Sequence, residues 1–385
     1  MSISPEFDFS PQNTLIIAEL GTSHNGDLSK AREMVDAAFE CGADCVKFQM
    51  VFADEILHPN TGEVELPTGK IRLYDRFKQL ESLPEFYMEM KEYSESKGIL
   101  FLCTPFGLKS AEILRNLQPK IVKIASPELN YTRLLEEVSG WDLPVLLSSG
   151  VSSLGDIERA LRTLKNGRIQ GHRDADGVNC NKTSICLLHC VTAYPAPETD
   201  YNLRVLDSLS MIFGIPVGVS DHSLDPELVP VLSIGQGAGV IEKHFCLSRS
   251  DSGLDDPIAL PPILFSRMVH AVRRAEKAGA EESLMALICE RGEKLVEEIL
   301  GSGVKTLAPS EEANYHRTNR SIHAMRNIKK GEIIRPEDFR VLRTEKNLKP
   351  GLDPYWEPFI AGRIAQNFIP DGEGICFEDL TEKMS

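Results

Sequence analysis

No stretch of the chain comes near the roughly 18 consecutive apolar residues that a membrane-crossing helix needs. The first residues, Met1–Gln12, are polar and carry Glu6 and Asp8, unlike the basic, apolar leader of a secreted protein. Paired cysteine motifs are missing as well. Nine cysteines are scattered without a C-x-x-C spacing, and Cys103, Cys186, Cys190 and Cys246 fall in or beside apolar runs. That usage predicts reduced, mostly buried thiols and a cytoplasmic protein. Positive charge is in deficit. The 42 Lys and Arg against 57 Asp and Glu leave a net charge of −15, which argues against nucleic acid or an anionic membrane as partner. A basic residue held in a pocket therefore works against the chain's average. No G-x-G-x-x-G or Walker loop follows the first apolar run, and no nucleophile elbow or serine–histidine–acid order is evident.

What is present is one alternation, repeated. Short β-rich runs occur at Thr14–Ala18, Cys45–Gln49, Ile99–Cys103, Ile121–Ala125, Pro144–Leu147, Ser184–His189, Pro216–Val219 and Ala238–Ile241. Helical spacing fills intervals such as Leu28–Glu40, Pro84–Lys97, Lys109–Leu117, Leu154–Leu164 and Asp225–Gly235. Eight alternations over about 270 residues predict a parallel (β/α)8 barrel over residues 1–280. An open doubly wound sheet is the competing arrangement, and the missing dinucleotide loop counts against it. Residues 281–314 read as a solvated linker after the last barrel helix, and residues 315–385 as a second, small domain. The segment Asn166–Thr183, rich in Gly, Asp and Arg, is longer than a usual αβ loop and is expected at the barrel's bottom face.

Each run, followed to its C-terminal end, arrives at polar residues: Glu19, Lys47 and Gln49, Thr104, Lys123 and Ser126, Ser148, His189, Ser220 to His222, and Glu242 with His244. Barrel enzymes build their sites from these ends. Ionisable groups are costly to bury singly, so eight such ends predict one shared pocket. Ser220-Asp221-His222-Ser223 and Ile241-Glu242-Lys243-His244-Phe245 each place a histidine after a short apolar run. On neighbouring strands, about 4.8 Å apart, the two imidazoles can share one metal ion. Strand alternation puts Glu242 and His244 on one side and Lys243 on the other. Lys47 and Lys123, with the hydroxyls of Thr104, Ser126, Ser148 and Ser220, suit phosphate and carboxylate oxygens. Two histidines leave a metal open positions for water or substrate. Glu19 could accept from metal-bound water or serve as base, and Glu128, Glu242 and Asp255 could hold hydroxyls of a polyol. His24, in Ser-His-Asn-Gly, either lines the pocket or serves a turn. The pocket thus predicts metal-assisted carbon chemistry on a phosphorylated anion and a carbonyl compound, without naming either.

Five segments resemble the sialic acid synthase family: Ile17-Ala-Glu-Leu-Gly-Thr-Ser-His-Asn-Gly26, Val46-Lys-Phe-Gln49, Lys123-Ile-Ala-Ser-Pro-Glu128, Leu188-His-Cys-Val-Thr-Ala-Tyr-Pro195 and the histidine pair above. Arg320-Ser-Ile-His-Ala324, Ile328-Lys-Lys-Gly-Glu332 and Gly362-Arg-Ile-Ala365 are similar to the small antifreeze-like (SAF) domain, mostly β and irregular, that these synthases carry. The resemblance implies condensation of phosphoenolpyruvate with an N-acetylated aldose, giving a nine-carbon 2-keto acid and phosphate by C–O cleavage. It implies His222 and His244 as ligands of Mn2+ or Mg2+, with Glu19 contacting metal-bound water. Lys47, Thr104, Lys123, Ser126, Ser148 and Ser220 become phosphoenolpyruvate contacts. Glu128, Tyr194, Glu242 and Asp255 fall on the sugar side. Arg320 becomes an SAF arginine that reaches the pocket of the partner in a domain-swapped homodimer. Thr192 stands where many N-acetylneuraminate synthases have asparagine, and Lys123-Ile-Ala-Ser-Pro-Glu128 looks closer to the branch making pseudaminic or related acids. Two other classes compete. One is a related barrel enzyme, a 3-deoxy-ketoacid-phosphate synthase or a Schiff-base aldolase. The other is a non-catalytic sugar-binding module, disfavoured because the SAF-like segment is only about a fifth of the chain.

Overall fold

Eight parallel strands form the body of the protein: β1 (Leu15–Gly21), β2 (Cys45–Met50), β3 (Leu100–Pro105), β4 (Val122–Ile124), β5 (Val145–Ser148), β6 (Ile185–Cys190), β7 (Val217–Asp221) and β8 (Ala238–His244). The computed structural model describes residues 7, 9–66, 69–171 and 185–381, so most of the Asn166–Thr183 insertion lies outside the described residues. Pairing runs β3-β2-β1-β8-β7-β6-β5-β4, and β3 and β4 lie against each other to bring the two ends of the sheet together. The result is the expected (β/α)8 barrel. Helices α1 (Leu28–Glu40), α2 (Pro84–Lys97), α3 (Leu108–Asn116), α4 (Thr132–Ser139), α5 (Leu154–Gly171), α6 (Val205–Phe213), α7 (Leu228–Gly235) and α8 (Pro262–Ala278) pack outside it.

The alternation of each strand builds two separate cores. Outward residues such as Val46, Phe48, Phe101, Val122, Leu147 and Leu187 join the helices in one cluster. Inward residues Ile17, Cys45, Leu102, Ile121, Leu146, Cys186, Leu188 and Val240 fill the lower barrel, together with Phe9 from the chain's start. Phe9 lies so close beneath β8 that a Cβ on Gly239 would sit 2.2 Å from its carbonyl oxygen. The bottom of the barrel is thereby plugged.

Between β2 and α2 the chain detours through a hairpin, Glu63–Leu66 paired with Gly69–Arg72, that alternation did not reveal. After α8, helices α9 (Ala280–Arg291) and α10 (Glu293–Leu300) pack back on α7, each opened by a glycine at positive φ (Gly279, Gly292). A linker then crosses the mouth. Its buried Glu311 accepts from the amides of Val151, Thr192 and Ala308, at 2.9, 2.9 and 3.2 Å. The C-terminal domain follows with the antiparallel pair β9 (Arg320–Ala324) and β10 (Phe339–Arg343), around Ile322, Ile328, Ile334, Ile360, Ile369 and Ile375. The eight cysteines among the described residues are all unpaired, six of them buried. Among the described residues no helix is long and apolar enough to cross a membrane.

Gly239→Ala is expected to cost about 1–3 kcal/mol by overpacking the plug against β8, read as a lower urea midpoint at unchanged slope. An unchanged midpoint would show that Phe9 does not press on the strand.

Candidate active site

Above the apolar plug, the next inward positions carry charge. Glu242 on β8 accepts from Lys123 Nζ at 2.9 and 2.7 Å and from Ser220 Oγ at 2.9 Å, with Lys47 Nζ 3.3 Å away. Lys47 also reaches Glu19 at 2.8 Å and donates to Thr104 Oγ1 at 3.4 Å, while Gln49 holds the other oxygen of Glu19 at 2.5 Å. Every one of these groups but Gln49 is buried. Burial alone would raise Glu242, but the Lys123 and Lys47 ammonium groups outweigh it and hold the carboxyl well below its usual range. Glu19 goes the other way: burial raises it, and Lys47 only partly offsets the effect. Burial also lowers Lys123 against the pull of Glu242. The pocket therefore holds one firm anion, one carboxyl biased toward its neutral form, and two amines.

The paired histidines stand one step higher. Their ring centroids are 5.4 Å apart at 63°, and Tyr194 stacks on His222 at 4.3 Å. His222 Nδ1 lies 2.9 Å from the carbonyl of Val191, which assigns a hydrogen to Nδ1. Burial lowers this imidazole, but Cys190 3.8 Å away and the carbonyl outweigh it and raise it to about 9, so a metal on Nε2 would displace a proton. This carbonyl-oriented imidazole is the usual preparation of a histidine ligand. Burial depresses His244, and His222 adds to the effect, so His244 stays neutral as a ligand must. Asp255 lies 3.7 Å from His244 Nδ1, its carboxyl pushed up to about 6 by burial. Among the described residues no group of three His, Cys, Asp or Glu has metal-ligand spacing. The donor set fits an ion held by two imidazoles, with oxygen donors from outside the chain.

The C-terminal domain sits on this mouth. Asn130 exchanges hydrogen bonds with the backbone of Arg320 (2.8 and 3.1 Å), Asn319 donates to Val151 O at 3.0 Å, and Leu57 pairs with Arg343 across the seam. Arg320 reaches Glu128 of its own chain, at 3.0 Å from Nη2 and 3.2 Å from Nε. Its remaining N–H groups go to the carbonyls of Glu55, Ile56 and Phe106. Arg343 adds Nη2 and Nε to the same Glu128 oxygen, at 2.8 and 3.2 Å.

Of the residues expected in the pocket, the strand ends do converge: Glu19, Lys47, Thr104, Lys123, Ser148, Ser220, His222, Glu242 and His244 line one barrel interior, with Tyr194 and Asp255 at its rim. Glu242 is saturated by the lysine layer and lies below the rim where Tyr194 and Asp255 stand. His189 is a correction. Its neighbours Leu188 and Cys190 point inward, so alternation sends its ring outward, where it meets the Tyr201 carbonyl at 2.7 Å. His24 serves the turn, accepting from Gly26 N at 3.0 Å and stacking on Phe86 at 4.4 Å. Lys243 points outward as alternation required, paired with Asp221 at 2.6 Å. Arg343 and Glu311 were not anticipated. A charged residue on a lid or a linker carries no local signature, and the register that sets Arg343 opposite Arg320 is not legible in either short strand alone.

A plugged (β/α)8 barrel with a lysine–carboxylate layer beneath two imidazoles, covered by a small β domain, defines a class of barrel enzyme acting at its C-terminal mouth. Residues 34–283 match the NeuB family and residues 319–381 the SAF domain. The chain belongs to the NeuB family. It is similar to the crystal structure of the spore coat polysaccharide biosynthesis protein SpsE of Bacillus subtilis (TM-score 0.77, 31% identity, covering 97% of this chain and 96% of that one). It is 33% identical to the N,N'-diacetyllegionaminic acid synthase of Campylobacter jejuni, over 94% of this chain and 98% of that one. With a pseudaminic acid synthase of the same species it shares 29% over 96% and 97%. The resemblance to sialic acid synthases carrying an SAF domain is borne out.

Lys243→Met leaves Asp221 charged and buried, and is expected to cost about 3–5 kcal/mol without altering the mouth. Urea unfolding with the double variant Lys243→Met, Asp221→Leu as control checks it, since removing both charges should recover most of the loss. A second expectation concerns acid. Burial depresses His24 to about 4, His189 to about 3 and His323 to about 4. The unfolded chain takes up these protons near pH 6.5, before the folded one does. The share of stability that rests on these three histidines should therefore be full above about pH 7 and fall as pH drops toward 4, by up to about 1.4 kcal/mol per pH unit for each. Urea midpoints flat between pH 7 and 5 would contradict it.

Proposed function

We propose that the chain condenses phosphoenolpyruvate with an N-acetylated aldose to give a nine-carbon 2-keto acid and inorganic phosphate. The observation that carries this reading is the pair of buried lysines, Lys47 and Lys123, set directly beneath two imidazoles in a barrel plugged at its other end. In a chain of net charge −15, two buried amines need an anionic partner beyond Glu242 and a Glu19 biased toward neutrality. Membership in the NeuB family and the relatives' names as legionaminic and pseudaminic acid synthases support the same reading.

Phosphate and carboxylate of phosphoenolpyruvate fall to Lys47, Lys123 and the hydroxyls of Thr104, Ser126, Ser148 and Ser220. Ser148 Oγ, buried and without a partner among the described residues, can donate here. C3 of the enol bonds to the aldehyde carbon of the open-chain sugar, and the aldehyde oxygen takes a proton. Water adds at C2, the C2–O bond to phosphate breaks, and phosphate departs with the electron pair. Glu19 is the carboxyl placed to exchange a proton at this stage, since burial raises it above the usual carboxylate range against the pull of Lys47. Mn2+ or Mg2+ on His222 and His244 would supply Lewis-acid polarisation of the aldehyde oxygen. Tyr194, Asp255 and Glu128 face the sugar, with Arg320 holding Glu128 in place, and the lid keeps bulk water from the reactive enol. The acceptor is N-acetylmannosamine or a diacetamido-trideoxyhexose, and the relatives' names favour the latter. In a domain-swapped homodimer the Arg320–Glu128 contact would pass between chains.

Lys123, a buried amine with depressed basicity, also supports a second reading as a Schiff-base aldolase. Phosphate release from phosphoenolpyruvate, measured with a panel of 2-acetamido sugars with and without Mn2+, tests the first. Release is expected with at least one sugar and should disappear with EDTA; no release with any of them sinks the reading. His222→Ala and His244→Ala should each lose at least about 100-fold in rate with an unchanged circular dichroism spectrum. Borohydride trapping of pyruvate on Lys123 would establish the aldolase instead.

A further inference from the structure

A buried carboxylate in the linker is joined to His222 through a single peptide unit. Glu311 spends its oxygens on backbone amides: Oε2 accepts from Val151 N and Thr192 N, both at 2.9 Å, and Oε1 from Ala308 N at 3.2 Å. Lys305, in the same linker, makes no bond to it, its buried Nζ having no partner among the described residues. A carboxylate is costly to bury, and a neutral side chain would close a turn at less desolvation cost. The charge at this position therefore asks for a use beyond the turn.

The N–H of Thr192 is one end of the peptide whose other end is the carbonyl of Val191, and that carbonyl lies 2.9 Å from His222 Nδ1. A trans peptide is planar and points its N–H and C=O in opposite directions. Glu311, the 191–192 peptide and His222 thus form one chain of two hydrogen bonds. A negative charge at the N–H end polarises the amide and makes its carbonyl oxygen a stronger acceptor. This is the carboxylate–histidine arrangement that orients metal ligands, lengthened by one peptide. The rest of the loop holds His222 by neutral groups: Ala196 N donates to its carbonyl at 3.1 Å, and its own amide donates to Tyr201 Oη at 2.6 Å. Cys190 Sγ stands 3.8 Å from Nδ1, farther than the carbonyl. The carboxylate is also fixed from its other side. Val151, a β-branched residue at φ 44°, gives its amide to the same Oε2 and accepts Asn319 Nδ2 on its carbonyl at 3.0 Å. Such a backbone persists only where its surroundings over-determine it.

We propose that Glu311 is a positioning residue of the metal site, acting on His222 through the 191–192 peptide to align the ring and strengthen it as a ligand. This rests on the reading of His222 and His244 as the protein ligands of a divalent ion. Glu311 itself ends on backbone amides and has no place at the reacting atoms. Because the same carboxylate holds Ala308 of its own linker, metal affinity becomes sensitive to how the segment leading to the lid is seated.

Calorimetric titration of the full chain with Mn2+ alone tests this apart from turnover. Glu311→Gln keeps a carbonyl oxygen for the amides of Val151 and Thr192 but removes the charge; it should retain a cooperative thermal transition and weaken Mn2+ about 10-fold. Glu311→Asp keeps the charge and should stay within about threefold of the wild type, whether or not the glutamine variant folds. Asn314→Ala removes a neutral bond to the same residue, from Asn314 Nδ2 to Thr192 O at 2.9 Å, and should leave Mn2+ affinity within about twofold. A second readout needs no metal. In protein carrying isotope-labelled histidine, at fixed pH, the Nδ1 proton of His222 is assigned by its loss in His222→Ala. It should move upfield in Glu311→Gln as its bond to Val191 weakens. The inference is overturned if Glu311→Gln binds Mn2+ as the wild type does, if the His222 proton stays in place, or if Glu311→Asp loses more than the stated factor. It is also overturned if Asn314→Ala weakens Mn2+ as much as Glu311→Gln, which would make Glu311 a tether only. A wild type that binds no Mn2+ would overturn the two-histidine reading and this inference with it, whereas Mn2+ binding indifferent to Glu311 overturns the inference alone.

Discussion

Glu242 is the constraint on which the interior depends. Two lysines inside a barrel would neutralise themselves or unfold it unless a carboxylate met both, and Glu242 does so with one side chain. Its anionic form is secured by Lys123 and Lys47; in return Glu19 and Glu242 together raise Lys47 against burial, while Lys123 stays lowered by burial despite Glu242. Glu19, 2.8 Å from Lys47, is the weaker of the two acids beside the amines, because burial raises it against that lysine's pull.

The lid repeats this logic with the signs exchanged. Two guanidinium groups from neighbouring strands converge on one carboxylate oxygen of Glu128, whose other oxygen is buried and unpartnered. One arginine is consumed by carbonyls of the βα loops and the other is not. Among the described residues both ion pairs of Glu128 come from the small domain, so seating that domain is what neutralises this buried carboxylate.

The strand alternation carried most of what could be read from residues alone. It placed Lys47, Lys123, Glu242 and His244 inside and Lys243 outside, because a period of two leaves no choice once neighbours such as Cys45 and Val240 are in the core. The same rule, applied to Leu188 and Cys190, would have turned His189 outward; its place at the end of an apolar run hid that. Arg343 was beyond reach for a different reason. Its role arises from a register between two short strands and from contact with Glu128, 215 positions away, and neither leaves a mark on the local sequence. Glu311 looked like an ordinary linker acid, since nothing near it announces the three backbone amides it collects. The hairpin after β2 was missed because its two strands are only four residues each, too short for their alternation to stand out.

The pairing of β1 with β8 sets a schedule for the chain's own synthesis. Leu15 takes Val240 as its partner, and Phe9 packs beneath Gly239. At ribosomal speeds of roughly 5–20 residues per second, the first strand waits on the order of 10–50 s before its neighbour exists. During that time an apolar edge and the future plug stand uncovered, with β2 as the only ladder β1 can form. The barrel is thus a structure whose beginning is completed by its end, and nascent chains of this protein have the profile of substrates for chaperones that shield strand edges.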